Sequence, residues 1–281
     1  MLAQHWSLPG NATPGYMSKA GLCASMTSSY HAANELLKET GTTHSTSTLH
    51  KECNQLADIC APHEVKLSRL PNETLKEKRV VISVDGGRTR TRKYTGEINQ
   101  AGHETYKTPW REPKLFVIDV LDKNGRSCRQ HLPLYGCRFG EQDCLDLLRA
   151  QLKDLQINQA QSVQIVADGA QWIWTQLPVM LQELGVDSSC ITQTLDHYHA
   201  LQYVHKIVQA LPANFGEAKK KKFLLSFKEN LWQGKSSESI AKAKAHIKRP
   251  DEETQQALNY LEKHKDRTQY ADFKARNLMV G

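Results

Sequence analysis

The chain has 281 residues, 39% hydrophobic and 24% charged, a balance that allows one sizeable core with a small appended unit and excludes global disorder. Lys and Arg number 37 against 30 Asp and Glu, and the resulting +7 suits a polyanionic partner without requiring one. No stretch approaches the roughly 20 apolar residues of a membrane span, and MLAQHWSLPGNATPG lacks a basic segment followed by an apolar run, so a cytosolic location with no membrane partner is expected. The seven cysteines form neither a CxxC pair nor the even framework of a secreted scaffold, and read as buried or free thiols.

Residues before about 26 are rich in Gly, Pro, Ser and Asn, show little periodicity, and read as loop. A helical pattern follows from Thr27 to Leu37 and breaks at Gly41. A second helix is expected after Ser45, a capping residue, with Leu49, Cys53 and Leu56 on one face. Two short helices around a glycine turn fit a helix-turn-helix that would present Ser47, His50, Lys51 and Asn54 to DNA; they also fit a plain helical hairpin. Ala61 to Lys78, with Pro62, Pro71 and no sustained apolar face, reads as a linker, placing a domain boundary near residue 75.

The β-branched run VVISVDGG (Val80 to Gly87) predicts a buried strand ending at an aspartate and two glycines. KLFVIDVLD (Lys114 to Asp122) and RSCRQHLPL (Arg126 to Leu134) flank an Asn-Gly and predict an antiparallel hairpin. Gln142 to Leu155 carries Cys144, Leu148, Leu152 and Leu155 on one helical stripe; VQIVADGA (Val163 to Ala170) is a further buried strand. The amphipathic stretch from Trp172 to Leu184 should kink or restart at Pro178. CITQTLD (Cys190 to Asp196) completes five strands, and helix dominates from His197 onward. The order strand, strand, strand, helix, strand, helix, strand, helix is that of a ribonuclease-H-like α/β mixed sheet. The expected organisation is therefore an N-terminal helix-turn-helix-like unit with linker over 1–74, a catalytic core over 75–202 and an all-helical region over 203–281.

Active sites in such sheets gather at the carboxyl ends of strands, where both Asp85 and Asp168 stand, each followed by Gly. A single Asp-Gly at a strand end is also an ordinary turn. In this topology, however, the two strands are neighbours, and two adjacent carboxylates repel unless a cation bridges them. Hard oxygen ligands select Mg²⁺ or Mn²⁺, and two such ions would serve in-line phosphoryl transfer on nucleic acid. Asp119 and Asp122 lie on the second strand and its turn and are assigned to structure.

The segments ISVDGG, VADGAQWIW, TLDHYHALQYV and the terminal ARNLMVG together resemble the ISKra-type bacterial insertion-sequence transposases, relatives of the Mutator group, over residues 27 to 281. The resemblance implies a DDE-type DNA transposase, bacterial and nucleoid-associated, acting as a homo-oligomer on double-stranded transposon ends and target DNA. Asp85 and Asp168 match the family's two aspartates, which with two Mg²⁺ or Mn²⁺ ions would be catalytic and metal-binding. Asp196 and His199 match its Asp-x-x-His signature and would act near the site; by themselves they also fit a helix cap and its first turn. The family's catalytic glutamate lies shortly after a segment like ARNLMVG, so it is expected beyond Gly281. Glu217, Glu229, Glu238 and Glu262 have charged helical neighbours and read as solvated surface.

Three further groups are expected to meet DNA. Arg88, Arg90 and Arg92 alternate after the first aspartate and would share one face of an extended strand. Trp172 and Trp174 follow the second aspartate, one free to stack on an unpaired base and the other to pack in the core. Lys219, Lys220, Lys221 and Lys222 sit beside a stripe of Phe223, Leu224, Phe227 and Leu231 that reads as core, leaving the lysines to meet phosphates. Two competing functions remain open on sequence: a catalytically inactive transposon-derived DNA-binding fragment or regulator, and a ribonuclease-H-like nuclease or resolvase.

Overall fold

The computed structural model describes residues 12–42, 44–64, 74–128, 131 and 133–281. The chain divides into two compact units, Met1–Arg69 and Leu70–Gly281. No helix among the described residues is long and apolar enough to cross a membrane.

The first unit contains helices α1 (Pro14–Met26), α2 (Tyr30–Lys38) and α3 (Thr46–Cys60) around Ala20, Cys23, Ala33, Leu37 and Leu49. Helix α1 corrects the expectation of loop before residue 26. Its start carries a clear signal, Thr13 capping the Tyr16 amide with Pro14 in the first turn. Its small residues blur the apolar periodicity but let it approach α3 closely: a Cβ on Gly21 would lie 2.6 Å from Leu56 Cδ2. Ser45 caps α3 as expected, accepting from the Thr48 amide. Half of the segment read as linker, 65–73, lies outside the described residues.

The second unit is built on a five-stranded mixed sheet of order β7-β6-β1-β8-β9, with β1 at Arg79–Gly86, β6 at Lys114–Leu121, β7 at Leu134–Arg138, β8 at Ser162–Ala167 and β9 at Ile191–Leu195. β1 is antiparallel to β6 and parallel to β8, β6 is antiparallel to β7, and β8 is parallel to β9. Three antiparallel strands followed by two parallel ones are compatible with a ribonuclease-H-like fold. Helices α4 (Glu141–Asp154) and α5 (Gln171–Glu183) make the crossovers.

Three expectations are corrected here. The third strand is Leu134–Arg138, not Arg126–Leu134. After the Asp122–Gly125 turn the chain makes the bridge Leu121↔Ser127 and rejoins the sheet farther along, pairing with Lys114–Ile118. Arg126 to Gln130 is too polar to cover an apolar face, whereas Gly136 makes room for the Phe116 ring, whose Cζ would be 2.1 Å from a Cβ there. Pro178 does not restart its segment, because α5 runs through it with Trp174, Leu177 and Leu181 buried on one side. Packing of that face outweighs one missing amide hydrogen bond. Finally, a long antiparallel hairpin not anticipated from the sequence joins β1 to β6: β2 (Thr89–Arg90) pairs with β5 (Trp110–Arg111), and β3 (Lys93–Ile98) with β4 (Glu104–Lys107).

From His197 onward the described chain is mostly helical: α6 (His197–Gln209), α7 (Glu217–Trp232), α8 (Ser236–His246), α9 (Glu252–Lys263) and α10 (Tyr270–Ala275). The last residues return to the sheet. Gln164 on β8 donates to the Met279 carbonyl and accepts from its amide, and the His197 amide donates to the Val280 carbonyl.

Candidate active site

The three parallel strands end in an aligned row. Val84 is in register with Ala167 and Ala167 with Leu195, so Asp85, Asp168 and Asp196 each occupy the next position at the carboxyl edge. Neighbouring strands are about 4.8 Å apart. The three aspartates and His199 line one cavity of about 220 Å³ together with Met279 and Gly281, and among the described residues no Lys or Arg lines it.

Local bonding fixes each carboxylate. Asp85 Oδ1 accepts from the Gly86 amide at 2.7 Å, and His199 Nε2 lies 3.9 Å from the same oxygen. Asp168 Oδ1 accepts from the Ala170 amide at 2.9 Å. Asp196 caps α6, its Oδ1 accepting from the His199 amide at 2.9 Å; a Cβ on Gly281 would lie 2.5 Å from its Oδ2. Asp196 thus caps a helix, as the plainer reading of Asp-x-x-His expects, and also lines the cavity.

A support layer unseen in the sequence lies behind Asp168. Trp174 Nε1 donates to the Asp168 carbonyl at 2.8 Å, the Arg267 guanidinium sits 4.7 Å over the Trp174 ring, and Arg267 Nε donates to Gln193 Oε1 at 2.8 Å. Arg267 Nη1 is 3.2 Å from Nδ1 of the buried His264. Burial, then the charges of Arg267 and Lys263, push the His264 pKa down to about 4. On the other side the Tyr260 ring covers Gly169, stacked on Tyr203 with centroids 3.7 Å apart. Burial, with Tyr203 and Asp168 nearby, holds the Tyr260 phenol well above its usual range.

The remaining expected residues are dispersed. Arg88 and Arg90 lie 5.5 and 4.8 Å over the Trp110 ring, and Arg92 lies 4.7 Å over Tyr106. Of the tryptophan pair, Trp174 is the buried member, while Trp172 is half-buried with Lys114 Nζ 6.0 Å from its ring centroid. Lys219 to Lys222 fall on successive positions of α7 and so spread around it rather than forming one face. Lys219 lines a second cavity, about 610 Å³, with Phe215, His246, Lys248 and Arg249; Lys220 is 3.9 Å from Glu217. Lys51 is exposed on α3 of the first unit. None of Glu217, Glu229, Glu238 and Glu262 lines the aspartate cavity.

The row of aspartates offers hard oxygen donors in a cavity that no described Lys or Arg lines, which suits Mg²⁺ or Mn²⁺, ions that commonly keep several waters and use one or two protein carboxylates. Among the described residues no group of three or more His, Cys, Asp or Glu is gathered closely enough to hold a metal by itself.

No family model and no curated protein matches this chain. Among solved structures there is a similarity to a Drosophila P element transposase strand transfer complex, at 15% identity and a TM-score of 0.34, covering 89% of this chain and 63% of that one. The chain thus spans less than two thirds of that protein's length, and a likeness at this level assigns no role to any residue.

Proposed function

We propose that the chain is an insertion-sequence DNA transposase that cuts phosphodiesters at transposon ends and joins the freed 3′-hydroxyl to target DNA, with Mg²⁺ or Mn²⁺. The observation that carries the reading is the row of Asp85, Asp168 and Asp196 lining one cavity at the carboxyl ends of three parallel strands. The sequence resemblance supports it. Asp85 and Asp168 would hold two metal ions, which supply Lewis acidity to the attacking and leaving oxygens. Water opens the first phosphodiester and leaves a 3′-hydroxyl; that hydroxyl then attacks a target phosphodiester and displaces a new 3′ end. Asp196 holds the start of α6, and His199 stands beside Asp85, where it orients the carboxylate or a DNA phosphate. Tyr260 and Trp174 hold the turn that carries Asp168. On this reading the third carboxylate follows Gly281, which itself lines the cavity. DNA contacts outside the cavity are assigned to Arg88, Arg90, Arg92, Trp172, Lys51 and Lys219 to Lys222, with a homo-oligomer assembled on duplex ends at the nucleoid.

Oligonucleotides carrying the element's ends test this directly. With a chain extended through the expected glutamate, Mg²⁺-dependent nicking and joining should vanish in Asp85→Asn and in Asp168→Asn while end binding persists. Equal loss of binding and cleavage would make the aspartates structural. Residues 1–281 alone should bind DNA in a salt-dependent way with little joining. Robust joining by that chain would overturn the placement of the third carboxylate. DNA binding without metal-dependent chemistry in the extended chain would favour the reading as an inactive DNA-binding regulator.

A further inference from the structure

The hairpin between β1 and β6 is not a separate appendage. The register that pairs Arg79 with Leu121 and Gly86 with Lys114 continues without a slip through Gly87 and Pro113, Thr89 and Arg111, Thr91 and Pro109, to Tyr94 and Tyr106. The strand that carries Asp85 therefore runs on beyond the sheet as one side of a two-stranded ribbon. Nine residues separate Asp85 from Tyr94, about 30 Å at the usual rise of an extended strand. The first irregularity falls between Tyr94 and Ile98, next to the tip.

The ribbon is exposed along its length, Trp110 by 56%, Tyr94 by 55% and Tyr106 by 46%. Its two faces differ in chemistry but share a sign. Arg88, Arg90 and Arg92 lie on one face with the Trp110 and Tyr106 rings they cover, beside the Tyr94–Tyr106 edge-to-face pair. Lys93, Lys107 and Arg111 take the alternate positions, on the opposite face, among threonines. The arm's acidic residues stand at its ends, Glu97 and Glu104 near the tip and Glu112 at the base beside Lys114, and none falls between Arg88 and Thr95 or between Thr105 and Arg111. Lys93 and Lys107 are direct cross-strand partners, an arrangement that is unfavourable in a free hairpin and is relieved by a polyanion.

We propose that residues 87–113 form an arm that lies in the major groove of duplex DNA and leads that duplex to the aspartate cavity. The inference rests on the nucleic-acid reading of that cavity and adds the form of the substrate. A two-stranded ribbon fits the major groove, and cations on both of its faces meet the phosphates of both groove walls. A single strand would be followed by one face only. The exposed rings hold the arginine side chains extended before binding, which lowers the ordering cost of the contacts.

The test uses the full chain carrying Asp85→Asn, so that cleavage does not consume the probe, with a duplex of about three helical turns, its single strand, and an acidic polypeptide as probes. Two variants each remove three cations: Arg88→Gln with Arg90→Gln and Arg92→Gln, and Lys93→Gln with Lys107→Gln and Arg111→Gln. Each should lower the slope of log affinity against log salt by roughly 3 for duplex. Duplex should also protect the arm of the unsubstituted chain from trypsin, a readout that needs no variant to fold. An effect confined to one face, equal affinity for single strand or acidic polypeptide, or an unprotected arm would overturn the proposal. If both faces set duplex affinity but the extended chain shows no metal-dependent chemistry, the arm stands and the transposase reading falls. If chemistry is intact and both triple variants bind normally, the reverse holds.

Discussion

Replacing His264 with asparagine should remove a specific acid sensitivity from the protein. The imidazole is buried and its Nδ1 faces the Arg267 guanidinium at 3.2 Å, so Nδ1 must accept and the ring must be neutral. Burial disfavours the charged ring, and protonation would also set a second cation against Arg267 and Lys263, so the folded pKa falls to about 4 from 6.5. The unfolded chain binds this proton more readily. Stability from the neutral ring is therefore fully present above pH 6.5, is lost as pH falls from 6.5 toward 4, and changes no further below that. The separation corresponds to on the order of 3 kcal/mol. Asparagine keeps an acceptor for Arg267 but cannot titrate. Urea unfolding of both chains between pH 7 and pH 4.5 isolates the effect, because His197 and His205, whose pKa values burial also lowers, are common to both. The wild-type advantage at pH 7 should shrink by about 2–3 kcal/mol at pH 4.5. A difference that is independent of pH would refute the assignment of a neutral, Arg267-bound His264.

Other substitutions test the packing around the site and the elements that place it. Gly169→Ala would put a Cβ 2.0 Å from the Tyr260 ring, so the melting temperature should fall by an amount equivalent to about 1–3 kcal/mol, and any metal-dependent activity should fall with it. An unchanged melting temperature would mean that Tyr260 does not cover Gly169 in solution. Pro178→Ala restores an amide donor inside α5 and should stabilise the second unit by about 1–2 kcal/mol in denaturant unfolding; destabilisation would show that the proline ring packs productively. Ser45→Ala removes the cap of α3 and should cost the first unit about 1 kcal/mol, measured by helical circular dichroism on heating.

The parts of the fold legible in the sequence are those that bury apolar surface in a regular period. β1 and β8 show as β-branched runs because their sides are covered, and the carboxyl edge of the sheet shows because an aspartate stands there on each parallel strand. α4 and α3 show through their stripes and the Ser45 cap. The arm stays hidden because both of its faces are exposed: Arg-Thr alternation has strand periodicity but no apolar face, so it reads as charge. The third strand was misplaced because a strong Asn-Gly turn signal fixes where the chain reverses but not where it next pairs. Asp85 and Asp168 carry a local signal as strand-terminal Asp-Gly pairs, whereas Asp196 and His199 are singled out only by the resemblance. The common row of the aspartates depends on register across three strands, and the placements of Tyr260 and Arg267 depend on contacts with Gly169 and Gln193, far away in sequence, which no local pattern encodes.

The unbroken register from the arm into the sheet also bears on how the protein folds. The central strand pair, β1 with β6, is closed by one turn, in which the Asn99 amide donates to the His103 carbonyl, and every rung below it forms between residues already brought near by the rung above. Zipping from that turn carries a small loop-closure cost at each step, whereas joining β1 to β8 must close a long crossover. We therefore expect the tip to direct folding of the core. Shifting its register by one residue would carry Asp85 to the wrong side of the sheet, and insertion of one residue at Ala101 should slow refolding more than it speeds unfolding. Equal refolding rates for the insertion variant and the parent would show that the sheet assembles without the arm.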